Sequence, residues 1–253
     1  MMEGSMNPWY YYSPRSSPPR LSFYQFPSPQ FWQKLFAPAP PSLRFALKVP
    51  EEVTAETFPK HARYGPRGGE KNETYMNADA LQAQFLEPLQ PYATRIAALI
   101  FEFGARGAGP RDFVDVLDAL LHRLPDTFRY AVEVRNREYL QPRYFDSLRA
   151  HRVAHVLSSW TRMPPLAEQM AMPNAFTADF TVARALLLPG RKYEEAVSRF
   201  QPYDRIREEN PKARESLRAL IRRMREERRT GYIFVNNRLE GNAPETICAV
   251  AAD

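Results

Sequence analysis

Two charged residues two apart in an otherwise apolar run invite a chemical reading. In "YAVEVRN", Glu133 and Arg135 follow Tyr130 and Ala131. In an extended strand, residues i and i+2 share a face, so the carboxylate and the guanidinium point the same way. Taken out of water, both need partners, most simply each other or a bound ligand. Similar signals recur along the chain. "LIFEFG" puts Glu102 between Phe101 and Phe103, and "RFALKVP" puts Lys48 two residues after Ala46. "FTVARALL" places Arg184 late in an apolar run, "SFYQ" offers Tyr24, and "FVNN" ends on Asn236 and Asn237. A pair of carboxylates suits acid and base work, as in glycoside-type hydrolysis. A Lys–Arg–Arg set suits a phosphate or carboxylate. The same residues could instead be salt-bridged layers that only orient loops.

The elements that would position them alternate between strand-like and helix-like patterns. Strands are expected within 21–26, 44–50, 95–104, 128–135, 153–160, 175–187 and 231–237. Helices are expected within 31–36, 78–92 (with a proline interruption), 111–124, 144–151, 192–200, 205–229 and 243–252. Alternation of this kind implies parallel βαβ units. Both a doubly wound sheet and a (β/α)8 barrel fit 253 residues. Neither the glycine fingerprint of dinucleotide-binding folds nor a P-loop is present, which favours the barrel, and no cofactor is expected. In a barrel, function gathers where the strands end, which is where these polar residues fall.

Glu133 is then the expected general base or acid together with Arg135, and Arg135, Arg184 and Lys48 are anion clamps. Tyr24, Glu102, Asn236 and Asn237 complete a site for a small anionic or polyhydroxylated ligand. A regular strand would send the two asparagine amides to opposite faces, one toward the ligand and one toward the loop. In "EGNAPET", Asn242 is placed to cap the last helix, with Glu245 as its capping-box partner and Pro244 in the first turn. That helix start could also present N–H groups to an anion.

Other chemistries find little support. Of the four histidines, His122 falls in a helix and His151 and His155 at the start of a strand. His61 is left as the one candidate ligand, with no paired spacing around it, so no metal site is expected. Ser158 and Ser159 lack the nucleophile elbow. The single cysteine, Cys248, excludes an internal disulfide framework and a cysteine zinc site, and it fits the cytoplasm, the expected location. No apolar run is long enough for a membrane span.

The net charge of +6 is concentrated in 205–229, where Leu217, Leu220, Ile221 and Met224 form one helical stripe. Arginines mixed with glutamates on the other face read as a solvated outer helix. A nucleic-acid-associated protein is the alternative that the basic charge leaves open.

The stretches "SFYQFPSPQFW", "RFALKVPEEVT", "LIFEFG", "YAVEVRNREYL", "LLLPGRKYEEAVSRFQPYD" and "FVNNRLEGNAPETI" resemble the YecE-like family, the domain of unknown function 72. The resemblance spans about residues 21–250 and implies a TIM barrel, domain 21–253, with a site but no assigned reaction. It implies recurrent positions at Tyr24, Lys48, Glu133, Arg135, Arg184, Asn236 and Asn237. Glu102 departs from the family pattern, in which a glutamine often holds that strand end. Members usually begin with a further strand and helix, whereas residues 1–20 here are rich in Pro, Ser and Tyr and read as an irregular tail. The expectation is therefore a barrel of about seven strands, incomplete at its N-terminus, with a gap or the tail plugging it. A truncated, non-catalytic scaffold is the third reading this leaves open.

Overall fold

The structure is a computed structural model, and it describes residues 24–104 and 110–252. The fold is α/β. Six strands lie in one parallel sheet in sequence order: β1 (Phe45–Lys48), β2 (Ile96–Phe103), β3 (Tyr130–Val134), β4 (Ala154–Ser159), β5 (Phe180–Ala185) and β6 (Thr230–Val235). The described residues divide into two compact units. One comprises 24–100 with Leu124–Arg129, the other Phe101–Arg123 with 130–252.

About seven strands were expected and six are found among the described residues. The expected tail, 1–20, and the start of the expected first strand, Leu21–Phe23, lie outside those residues. The remainder of that stretch is not a strand: Tyr24 is helical and Gln25 is in a bend. Pro27 and Pro29 follow at once, and neither can donate to a strand ladder. The Phe26 N–H donates to the Glu52 carboxylate at 2.6 Å.

In the first unit, helix α1 (Pro29–Phe36) starts where Ser28 caps it, its hydroxyl accepting from the Phe31 N–H. The helix buries Trp32 and Phe36. Trp32 meets Phe85 edge to face at 5.7 Å, and Phe36 stacks on Tyr92 at 4.3 Å. Arg95 closes the far end of the helix by donating to the carbonyls of Phe36, Ala39 and Pro40. These carbonyls have no intrahelical donor, and a cation there also suits the helix dipole. The expected 78–92 helix is present but broken into α, π and 3-10 turns between Ala78 and Arg95, with Pro88 in its course.

In the second unit, β3–β6 pair in parallel, with Ser158 opposite Arg184 and Arg184 opposite Phe234. Each strand is followed by a helix: α2 (Pro110–His122), α3 (Pro142–Ala150), α4 (Leu166–Ala171), α5 (Tyr193–Phe200) preceding α6 (Pro211–Glu226), and α7 (Ala243–Ala251). The stripe expected on the basic helix is its core face. Leu217, Leu220 and Met224 of α6 pack on Leu157, Ala183 and Ala185 of the sheet, with Ile221 at the margin. Helix α4 falls in a stretch rich in Met and Pro whose apolar spacing gave no sign of it.

Candidate functional site

Every strand of the second unit that carries a polar residue near its C-terminal end contributes to one cluster. Glu102 is the seventh residue of the eight in β2, Glu133 the fourth of five in β3, and Arg184 the fifth of six in β5. Arg135 follows the end of β3 by one residue. Although Arg135 lies just past the strand, its side chain meets that of Glu133: Arg135 Nη2 lies 2.7 Å from Glu133 Oε1 and 3.2 Å from Glu102 Oε2. Arg184 Nη1 donates to Glu102 Oε2 at 2.6 Å and also to Glu133 Oε2. The four residues thus form a closed ring of alternating charge, Glu102–Arg184–Glu133–Arg135.

Burial grades across the ring. The Glu133 side chain is 0% exposed and Arg135 is 7%, whereas Arg184 is 14% and Glu102 is 17%. Burial works against the Arg184 charge, but the adjacent Glu133 and Glu102 outweigh it, and its pKa is raised above the ordinary arginine value. Arg184 therefore stays charged at any working pH. Glu133 is saturated. Oε1 accepts from Ser158 Oγ at 2.7 Å as well as from Arg135, and Oε2 is held by Arg184. Arg135 is not saturated. Its Cζ lies over the Trp160 ring, 4.1 Å from the centroid, a cation–π contact, yet its buried Nη1 has no hydrogen-bond acceptor among the described residues.

Ser158 was not singled out as a site residue, because a serine in an apolar strand has no distinctive spacing. Behind it stands Gln169 of α4, fully buried. Its Oε1 accepts from the Ser158 N–H at 3.1 Å, and its Nε2 donates to the carbonyls of Ser158 at 2.9 Å and Pro164 at 2.6 Å. The side chain fixes the Ser158 backbone, and so the hydroxyl that holds Glu133.

The asparagines are placed differently from the expectation. Strand β6 stops at Val235, so strand alternation does not govern them. Asn236 Oδ1 accepts from the Arg238 N–H at 3.0 Å, and Asn237 Oδ1 from the Ala243 N–H at 2.8 Å. Both oxygens shape the turn into α7. Asn242 caps that helix as expected, accepting from the Glu245 N–H at 3.0 Å. The Glu245 carboxylate accepts from the Ile206 N–H. Tyr24 and Lys48 belong to the first unit: Tyr24 lies edge-on to Tyr64 at 6.0 Å, and Lys48 ends β1 opposite Ile100.

A second buried carboxylate escaped the sequence reading. Glu240, within "EGNAP", is fully buried and accepts from Arg214 Nε at 2.9 Å, the Asn210 N–H at 2.5 Å and Thr246 Oγ1 at 2.7 Å. Its backbone carbonyl accepts from Arg207 and Glu208. The motif fastens the segment before α6 to the start of α7.

The basic helix spends much of its charge within the chain. Besides Arg214, Arg218 donates to the Ala249 carbonyl, Arg223 pairs with Glu227, and Arg229 pairs with Glu227 and donates to the Ala178 carbonyl. His155 is buried under α3, with Nδ1 3.1 Å from the Tyr144 hydroxyl, and burial pushes its pKa down to about 3. Among the described residues no group of three or more His, Cys, Asp or Glu could hold a metal ion, and no helix is long and apolar enough to cross a membrane.

A sequence model of the family described as "Protein of unknown function DUF72" matches residues 21–253. The chain belongs to the DUF72 family. Solved structures agree on the fold. A DUF72 family protein from Enterococcus faecalis V583 superposes with a TM-score of 0.66 at 17% identity, covering 92% of this chain and 86% of that one. A DUF72 family protein from Thermotoga maritima MSB8 superposes with a TM-score of 0.62 at 18% identity, covering 90% and 79%. No functionally curated protein matches. For this DUF72 chain, the family therefore supplies a fold, and any chemistry has to be argued from the ring of charges.

Proposed function

We propose that this DUF72 protein is an enzyme-like (β/α)8-type barrel that binds a small polar ligand, anionic or polyhydroxylated, at the C-terminal ends of β2–β5. Parallel strands in sequence order support the barrel reading, since each strand of such a barrel neighbours the next. One observation carries the site: Arg135 Nη1, in a side chain 93% buried and clamped by two carboxylates and Trp160, lacks an acceptor among the described residues. An unsatisfied buried donor costs about 1–3 kcal/mol, more when charged. A ligand oxygen would recover that energy.

In this reading Arg135 binds the ligand, and Arg184 and Glu102 form the more open side of the site. Glu133, first expected as the acid or base, has both oxygens engaged by three donors and serves to hold the guanidiniums. Glu102 is the more exposed carboxylate and takes the proton-transfer role in any turnover. The in-chain pairing of the α6 arginines supports placing function at the strand ends rather than on the basic helix.

Thermal unfolding of the full chain, with and without inorganic phosphate, small carboxylates and monosaccharides, tests the site. At least one compound should raise the melting temperature of the wild type and not that of Arg135→Met. The reading fails if no compound shifts the wild type, or if the shift survives in the variant.

A further inference from the structure

The ring of charges also discriminates between ligand classes, and this inference rests on the site reading above. We infer that the ligand is a neutral polyhydroxylated molecule, of the sugar or polyol class, and not an anion.

Each guanidinium of the ring already faces two carboxylates at ion-pair distance, so neither offers an anion an uncompensated charge. Arg184 Nη1 already serves two carboxylates, and Arg135 Nη2 does the same. A phosphate on Arg135 Nη1 would share that guanidinium with the two carboxylates already bound to Nη2, and it could reach Arg135 Nη2 or Arg184 Nη1 only by displacing one of them. Displacement at Glu133 would leave a fully buried charge short of a partner, which is strongly unfavourable. Displacement at Glu102 would set the phosphate against that carboxylate at the more open side of the ring.

A hydroxyl group meets none of these obstacles. It accepts from one neighbour while donating to another. One hydroxyl can accept from Arg135 Nη1 and a second can donate to a carboxylate, so adjacent hydroxyls match a guanidinium beside a carboxylate without any change of charge.

Glu102 provides the test, because the two ligand classes predict opposite signs. Binding of glucose, ribose, myo-inositol and inorganic phosphate is measured by calorimetry on the full chain, as wild type, Glu102→Gln and Arg135→Met. The expected result is that a neutral member of the panel binds, independently of salt, and weakens at least tenfold in Arg135→Met. Glu102→Gln should weaken it too, because an acceptor has become a poorer one. Phosphate binding that needs Arg135, tightens in Glu102→Gln and weakens with salt overturns the inference while the site stands. No binding by any probe, or binding indifferent to Arg135→Met, overturns both. Where a variant does not fold, the identity of the probe bound by the wild type and its salt dependence decide the question.

Discussion

Arg184 and Glu102 are 82 residues apart in sequence, and Arg184 Nη1 donates to Glu102 Oε2 at 2.6 Å. The same nitrogen also holds Glu133, so a single NH2 group ties β5 to both β2 and β3. Two strands, β3 and β4, lie between β2 and β5 in the sheet, so the contact reaches across the strand ends.

Removing Arg184 should therefore be costly. Arg184→Met leaves Glu133 buried with one guanidinium in place of two. The expected loss is about 3–5 kcal/mol of stability, read as a lower midpoint in urea unfolding. Glu133→Gln should cost less in the Arg184→Met background than in the wild type, because the two residues share one interaction. Additive losses would show that the ring is not a cooperative unit.

Gln169 acts at one remove. Gln169→Leu leaves the Ser158 N–H and carbonyl without their side-chain partner, at about 1–3 kcal/mol for each group that stays unsatisfied. Hydrogen exchange at the Ser158 amide should accelerate more than at Val156, two residues earlier in the same strand. Equal acceleration at both would point to general loosening of β4.

Gly241 is required by its conformation as well as by space. Its φ is +118°, and a Cβ there would stand 2.5 Å from the Arg205 carbonyl oxygen. Gly241→Ala should cost of order 1–3 kcal/mol and free the segment before α6. Limited proteolysis between residues 201 and 210 checks this, with faster cleavage in the variant expected.

The buried imidazole gives stability a pH dependence. His155 binds its proton at about 3 in the folded chain and near 6.5 when unfolded. Between those values the unfolded state holds the extra proton, so stability contributed by neutral His155 is complete above about 6.5 and is lost as the pH falls. The slope is about 1.4 kcal/mol per pH unit. Urea midpoints at pH 7 and pH 5 should differ in the wild type and differ less in His155→Gln. An unchanged difference would assign the effect to other groups.

Much of this arrangement could be read from the chain before folding. Glu133 and Arg135 share a face because a strand alternates, and Glu102 and Arg184 sit late in strands that their apolar neighbours define. Local capping at Asn242 was legible for the same reason: its partner lies three residues away. What was not legible depends on register between strands. Ser158 matters because it lies opposite Arg184 and reaches Glu133, and Glu240, in the turn after β6, because Arg214 arrives from α6. The contacts of Asn236 and Asn237 were not legible either, because β6 ends at Val235 and the Arg238 and Ala243 N–H groups take their side-chain oxygens.

The cation–π contact of Arg135 with Trp160 also equips the molecule with an optical reporter. The chain has three tryptophans, and Trp32 is sealed in the core of the first unit. A guanidinium 4.1 Å from the Trp160 ring alters the emission of that indole, and a ligand that draws Arg135 aside would change it. Occupancy of the ring could then be followed by intrinsic fluorescence, with Trp160→Phe as the blank and no label attached.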